Sequence, residues 1–159
     1  MGSSERSYVI RSVPGEGSGV KRLEWDEIHV GMKASFSRRL TDDDMLQFAT
    51  LSGDVNPLHV DDAYAHAAGY SGRVVYGMLT STLYSRLVGM HLPGELSLLH
   101  GMHIELVSPA FVGDSLVVEG EVVHLSEAFR RIELRARITR DDGQLISKAK
   151  ISVGLHDAR

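Results

Sequence analysis

Between residues 131 and 138 apolar and charged side chains take strict turns: Ile132, Leu134, Ala136 and Ile138 alternate with Arg131, Glu133, Arg135 and Arg137. A period of two predicts a strand with one buried and one solvated face. Asp141-Asp142-Gly143 supplies a tight turn, and Leu145, Ser147, Ala149, Ile151 and Val153 resume the alternation, so an antiparallel hairpin is expected. Similar runs near 97–107 and 115–125, joined through SPAFVGD, complete a four-strand block, and a further strand is expected near 34–40. Immediately upstream of residue 94 the period is that of a helix. From Gly77, MLTSTLYSRLV spaces Leu79, Leu83 and Leu87 four apart, which predicts a helix with one strongly buried face ending at Gly89.

Two shorter helices are predicted before it. Thr41 can cap the free amides of a helix opened by Asp42-Asp43-Asp44, whose carboxylates sit at the positive end of the dipole. Asp61-Asp62 offers a second start for DAYAHAAG, closed by Gly69 and Gly72. Between them Pro57 restricts Asn56 to extended geometry, so SGDVNPLH is expected to be a loop. One mostly buried helix followed by long antiparallel strands predicts a single α+β domain in which the sheet wraps the helix.

Composition narrows the chemistry. The 159 residues are 43% hydrophobic and 24% charged, as expected of one globular domain. Lys and Arg number 17 against 21 Asp and Glu, a net charge of −4 with no basic stripe, so nucleic acid is not an expected partner. Without cysteine there are no disulfides, thiolate metal sites or cysteine nucleophiles, and any catalysis falls to oxygen and nitrogen groups. No apolar run reaches the roughly 18 residues of a membrane span, and the N-terminus lacks the apolar segment of a secretory signal; no membrane partner and a cytoplasmic location are expected. Residues 1–22, rich in Gly, Ser and charge, are expected to form a poorly ordered arm, with the folded domain spanning 23–159.

Candidate chemistry concentrates in FATLSGDVNPLHVDD, residues 48–62, where Asp54, Asn56 and His59 lie within six positions around a proline. Taken singly, each is better explained as a turn former or a packing residue. Taken whole, SGDVNPLH closely resembles the signature of the MaoC-like (R)-specific enoyl-CoA hydratases. The resemblance extends over roughly residues 30–155, through the Gly-Met-Leu opening of the long helix, the LPG after it and SPAFVGDSL.

It implies a hot dog fold, a long central helix wrapped by an antiparallel β-sheet, paired edge to edge as a homodimer or a dimer of dimers. It also implies an acyl-CoA thioester substrate, no further cofactor and no metal. Asp54 and His59 would hold one water between them, adding hydroxyl and proton to one side of a 2-enoyl thioester to give the (R)-3-hydroxyacyl product, reversibly. The Gly77 amide, at a helix N-terminus, would hold the thioester oxygen. Asn56 would brace the loop, and Ser85 would orient Asp54.

Many family members carry His-Gly-Met at the helix start, where this chain has Tyr76-Gly77-Met78. A literal His100-Gly101-Met102 falls on a predicted strand and is read as a decoy. Three alternatives remain open. One is a metal site built on His59-Val60-Asp61 with His100 or His103. Another is a hot dog acyl-CoA thioesterase, and the third is a non-catalytic acyl-CoA-binding subunit of a dehydratase complex. Arg73 is a candidate for a coenzyme A phosphate.

Overall fold

A computed structural model describes residues 19–156. Strand β1 (Lys33–Arg39) is followed by four helices: α1 (Asp42–Ser52), α2 (Pro57–Val60), α3 (Asp62–Ala67) and α4 (Gly77–Arg86). Strands β2 (Ser97–Leu106), β3 (Ser115–Ser126), β4 (Arg131–Arg140) and β5 (Leu145–Leu155) then complete one antiparallel sheet in the order β1-β3-β4-β5-β2. The expected α+β plan is therefore present, with β4 and β5 as its central hairpin.

The alternation in β4 sets the two faces of the sheet. Ile132, Leu134, Ala136 and Ile138 are all buried, while Arg135 and Arg137 on the other face pair with Glu121 and Glu119 of β3. In β5 the alternation slips. A register irregularity opposite Ile138 and Thr139 buries Ile146 and Ser147 together, so Leu145 does not continue the buried row.

Helix α4 lies against the inner face. Leu83, Tyr84, Leu87 and Val88 are buried in one apolar cluster with Leu116, Val118, Ile132 and Ile151, a contact stabilised by burial of apolar area. A β-carbon on Gly120 of β3 would stand 2.6 Å from Leu87 Cδ2, so glycine is what lets the helix end approach the sheet. The helix does not stop at Gly89: a single π-type turn carries Leu87–His91 onward to Leu92. Tyr84 Oη and Ser147 Oγ, both fully buried, lie 2.8 Å apart and tie α4 to β5. Burial pushes the Tyr84 phenol up to about 12, against the opposing effect of the Ser147 bond.

The segment before Leu23 is already joined to the fold. The Lys21 amide donates to Met90 O and its carbonyl accepts from Glu95 N, while Arg22 bridges Gly94. The rest of the expected arm, residues 1–18, lies outside the described residues. Among the described residues no helix is long and apolar enough to cross a membrane.

Candidate active site

Helix α1 delivers the first group. Thr41 caps it by accepting from Asp44 N, and Asp44 returns a bond from the Thr41 amide. The helix ends on Gly53 at φ 73°, a left-handed conformation that glycine takes without steric cost and that turns the chain into Asp54. Asp54 is exposed on this turn. Its amide donates to Ser52 Oγ at 3.2 Å, and its Oδ1 accepts from Asn56 N at 3.0 Å.

The second group does not sit on a loop, as the sequence suggests, but on the one-turn helix α2. Pro57 does hold Asn56 in an extended conformation (ψ 128°), yet its own fixed φ suits the first position of a helix, and Asn56 Oδ1 caps that turn by accepting from Leu58 N at 3.0 Å. His59, half-buried, points its Nδ1 at the carbonyl oxygen of Val74, 2.7 Å away. A carbonyl only accepts, so Nδ1 is the donor of this bond, and in the neutral imidazole the acceptor is then Nε2.

Tyr76 stands between the two. It is 2% exposed, its phenol donates to the Asp54 carbonyl oxygen at 2.7 Å, and its ring lies 4.1 Å from the imidazole of His59 and 4.9 Å from the ring of Phe48. Burial, and secondarily the charge of Asp54, raise its pKa, which keeps the phenol protonated and donating. Gly77 follows as the first residue of α4. Its N–H meets no acceptor among the described residues, and a β-carbon there would run into Leu106 Cδ1.

His59, Gly77 and Thr80 open on a groove of about 250 Å³ whose remaining walls include Leu106, Ala110 and Ile146. His59, Gly77 and an apolar wall thus share one cavity, whose lining does not include Asp54. A larger depression of about 960 Å³ lies on the other face of the sheet among ion-paired side chains such as Glu119, Arg137 and Lys148, away from these groups.

Other candidates fare differently. Ser85 is exposed on α4, and its hydroxyl makes no hydrogen bond to Asp54 within the chain; it stands two turns, about 12 Å of helix rise, beyond Gly77. Asp54 is held instead by the Asn56 amide and Tyr76. Arg73 is occupied by Asp42 and Asp62, clamping α1 to α3, so it is not a free cation for a phosphate. Asp61 caps α3 through Tyr64 N at 3.1 Å, and no group of three metal-binding side chains converges among the described residues. His100 lies on β2 beside Gly154. The groups that sequence inspection missed are the Val74 carbonyl, which carries no side-chain signal, and the Tyr76 phenol, visible only as a departure from His-Gly-Met.

Residues 26–143 match the MaoC like domain. The chain belongs to this family. It is 39% identical over 118 residues to the (R)-specific enoyl-CoA hydratase of Aeromonas caviae, covering 74% of this chain and 88% of that protein. A 3-hydroxybutyryl-CoA dehydratase of Methylorubrum extorquens is 28% identical over 112 residues, 70% of this chain and 71% of that protein. The solved (R)-hydratase from A. caviae superposes with a TM-score of 0.78 at 37% identity, covering 81% of this chain and 98% of that one. An R-hydratase from Pseudomonas aeruginosa gives 0.82 at 29% identity, covering 87% and 89%. The MaoC-like chain described here has the hot dog fold of these neighbours, with α4 as its central helix.

Proposed function

We propose that this MaoC-like chain is a hydro-lyase that hydrates trans-2-enoyl-CoA to (R)-3-hydroxyacyl-CoA, and catalyses the reverse dehydration, with Asp54 and His59 as the acid-base pair. The observation that carries it is the 2.7 Å contact of His59 Nδ1 with the Val74 carbonyl: that oxygen only accepts, which leaves Nε2 to act as the base beside the groove that Gly77 also lines. In hydration a water held by Asp54 and His59 loses a proton as its oxygen bonds C3. The C2–C3 π pair moves toward the thioester, and C2 takes a proton from the same side. Negative charge building on the thioester oxygen is met by the Gly77 N–H at the positive end of α4. No cofactor beyond the coenzyme A of the substrate enters these steps. Asn56 serves the pair by capping α2, and Ser85 is proposed as an orienting neighbour of Asp54 only in the assembled protein, where a second copy covers the exposed face of α4.

That assembly is a homodimer or a dimer of dimers. Among the described residues strand β2 is an unpaired edge of the sheet, and Leu98, Leu99 and Leu106 along it are 42–58% exposed, an apolar edge that a second β2 would cover. Sedimentation is expected to give twice or four times the 17.4 kDa of one chain; a monomer at micromolar concentration would remove the assembly. The activity is tested by loss of the 2-enoyl thioester absorbance with crotonyl-CoA and a longer homologue, followed by chiral analysis. Rapid loss yielding the (R)-3-hydroxyacyl thioester supports the assignment. Release of free thiol would make the chain a thioesterase, and binding without turnover would make it a carrier subunit.

A further inference from the structure

We infer that Tyr76 is a positioning residue that holds both halves of the acid-base pair in one arrangement, an inference that rests on the roles proposed for Asp54 and His59. Its phenol spans 22 residues of sequence to reach the Asp54 carbonyl at 2.7 Å. The other hydrogen bonds of residues 53–56 run to partners between Ala49 and His59, so among the described residues Tyr76 alone ties this turn to a distant part of the chain. The same side chain walls the imidazole. With ring centroids 4.1 Å apart and an interplanar angle of 35°, the Tyr76 ring blocks rotation of His59 on one side, while the Val74 carbonyl holds Nδ1.

The two anchors are two residues apart in one extended stretch, and Gly77 follows directly. Val74 N also donates to Leu58 O at 3.1 Å, which fixes α2 against this stretch. Four consecutive residues, 74–77, therefore set the base, the carboxylate turn and the unpaired amide relative to one another. Catalysis by a carboxylate and an imidazole sharing one water depends on their separation, and an error near 1 Å costs large factors in rate. Asp54 is exposed and its turn is short, so without the phenol its position relative to His59 is set only by bonds local to the turn. A pure packing role would require only the ring.

Tyr76→Phe separates the two, since it keeps the ring and removes one oxygen. In the full chain with crotonyl-CoA we expect kcat to fall about tenfold, with KM within about twofold and the melting temperature within about 4 °C. Amide exchange at residues 53–56 should quicken. Added to Asp54→Asn, the substitution should cost almost nothing further, because the carboxylate it positions is already disabled. Wild-type kcat with unchanged exchange would overturn the inference, and so would a loss of kcat that is fully additive with Asp54→Asn. Asp54→Asn and His59→Ala run beside it as separate arms: if both keep wild-type turnover, it is the acid-base assignment that falls, whatever Tyr76→Phe does to the exchange of the turn.

Discussion

The two ends of α4 hold their polar groups in opposite ways. At the N-terminal end the Gly77 amide is unpaired, His59 leaves Nε2 open to a groove, and Asp54 stands exposed with only Oδ1 bonded to a neighbouring amide. Toward the C-terminal end Tyr84 and Ser147 are fully buried, bond each other, and sit among Leu87, Val88 and Ile151. Hydrogen-bonding capacity left open in a groove is available to a substrate; capacity closed inside a core is spent on the fold. The helix is packed along both halves, with Thr80 and Ser81 buried and bonded to the Gly77 carbonyl, so that only the groups before and at its first residue are left open.

The largest effects are expected at the open end. Asp54→Asn and His59→Ala should each lower kcat by at least about a hundredfold while the melting temperature holds, the usual scale for removing a positioned acid or base. Their combination should be no worse than the poorer single variant if, as proposed, the two serve one water. Two independent tenfold losses in steady-state kinetics would break the contrast by making these residues separate, minor contributors.

Gly77 comes next. Gly77→Pro removes the N–H, yet proline is tolerated at the first helical position, and Tyr76 at φ −55° and ψ 128° already has the conformation that a following proline demands. Gly77→Ala is its control: it adds the same β-carbon beside Leu106, an exposed and flexible side chain, and keeps the amide. The proline variant should lose on the order of a hundredfold in kcat relative to alanine, while alanine chiefly raises KM. Equal kcat in the two variants would mean that the amide holds no developing charge.

Sequence patterning and geometry contributed unequally to these expectations. The period-two rows of β4 and the spacing of Leu79, Leu83 and Leu87 follow from burial, which acts on side chains and so leaves a pattern; the β4 row is buried throughout, as are Leu83 and Leu87, while Leu79 is only partly so. The Thr41 cap and the Asp141-Asp142-Gly143 hairpin were legible for another reason: helix capping and tight turns call for particular residue types even at exposed positions. The helical turn at Pro57 was not, because proline forbids helix to the residue before it while favouring helix at itself, and the two effects compete over one peptide bond. Nor was the β5 slip that buries Ile146, which is set by pairing with β4 rather than by β5 alone. In the site, SGDVNPLH marked Asp54 and His59, but the Val74 carbonyl is common to every residue type and could not be read. Ser85 shares an exposed face of α4 with Met78 and Thr82 and makes no hydrogen bond to Asp54 within one chain, so its proposed role rests on a second copy.

The smallest effect on turnover, and a clear effect on stability, belongs to the closed end. Tyr84→Phe leaves the Ser147 hydroxyl buried without its partner and should cost about 1–3 kcal/mol of unfolding free energy with kcat within about twofold. Its pH dependence has a definite sign. The phenol, ordinarily near 10, is raised to about 12 in the folded chain. Below pH 10 it is neutral in both states, whereas between pH 10 and 12 the unfolded chain ionises and the folded chain does not. Stability from this group is therefore complete below pH 10 and is lost as the pH rises through about 12, on the order of 2–3 kcal/mol in all. Denaturant melts from pH 9 to 12 should show a steeper decline for the wild type than for Tyr84→Phe, which has nothing to ionise there. Parallel declines would mean that Tyr84 is not sealed from solvent. An equal loss of kcat at neutral pH would mean that the two ends of α4 are not mechanically separate, because Ile146, next to Ser147, lines the groove.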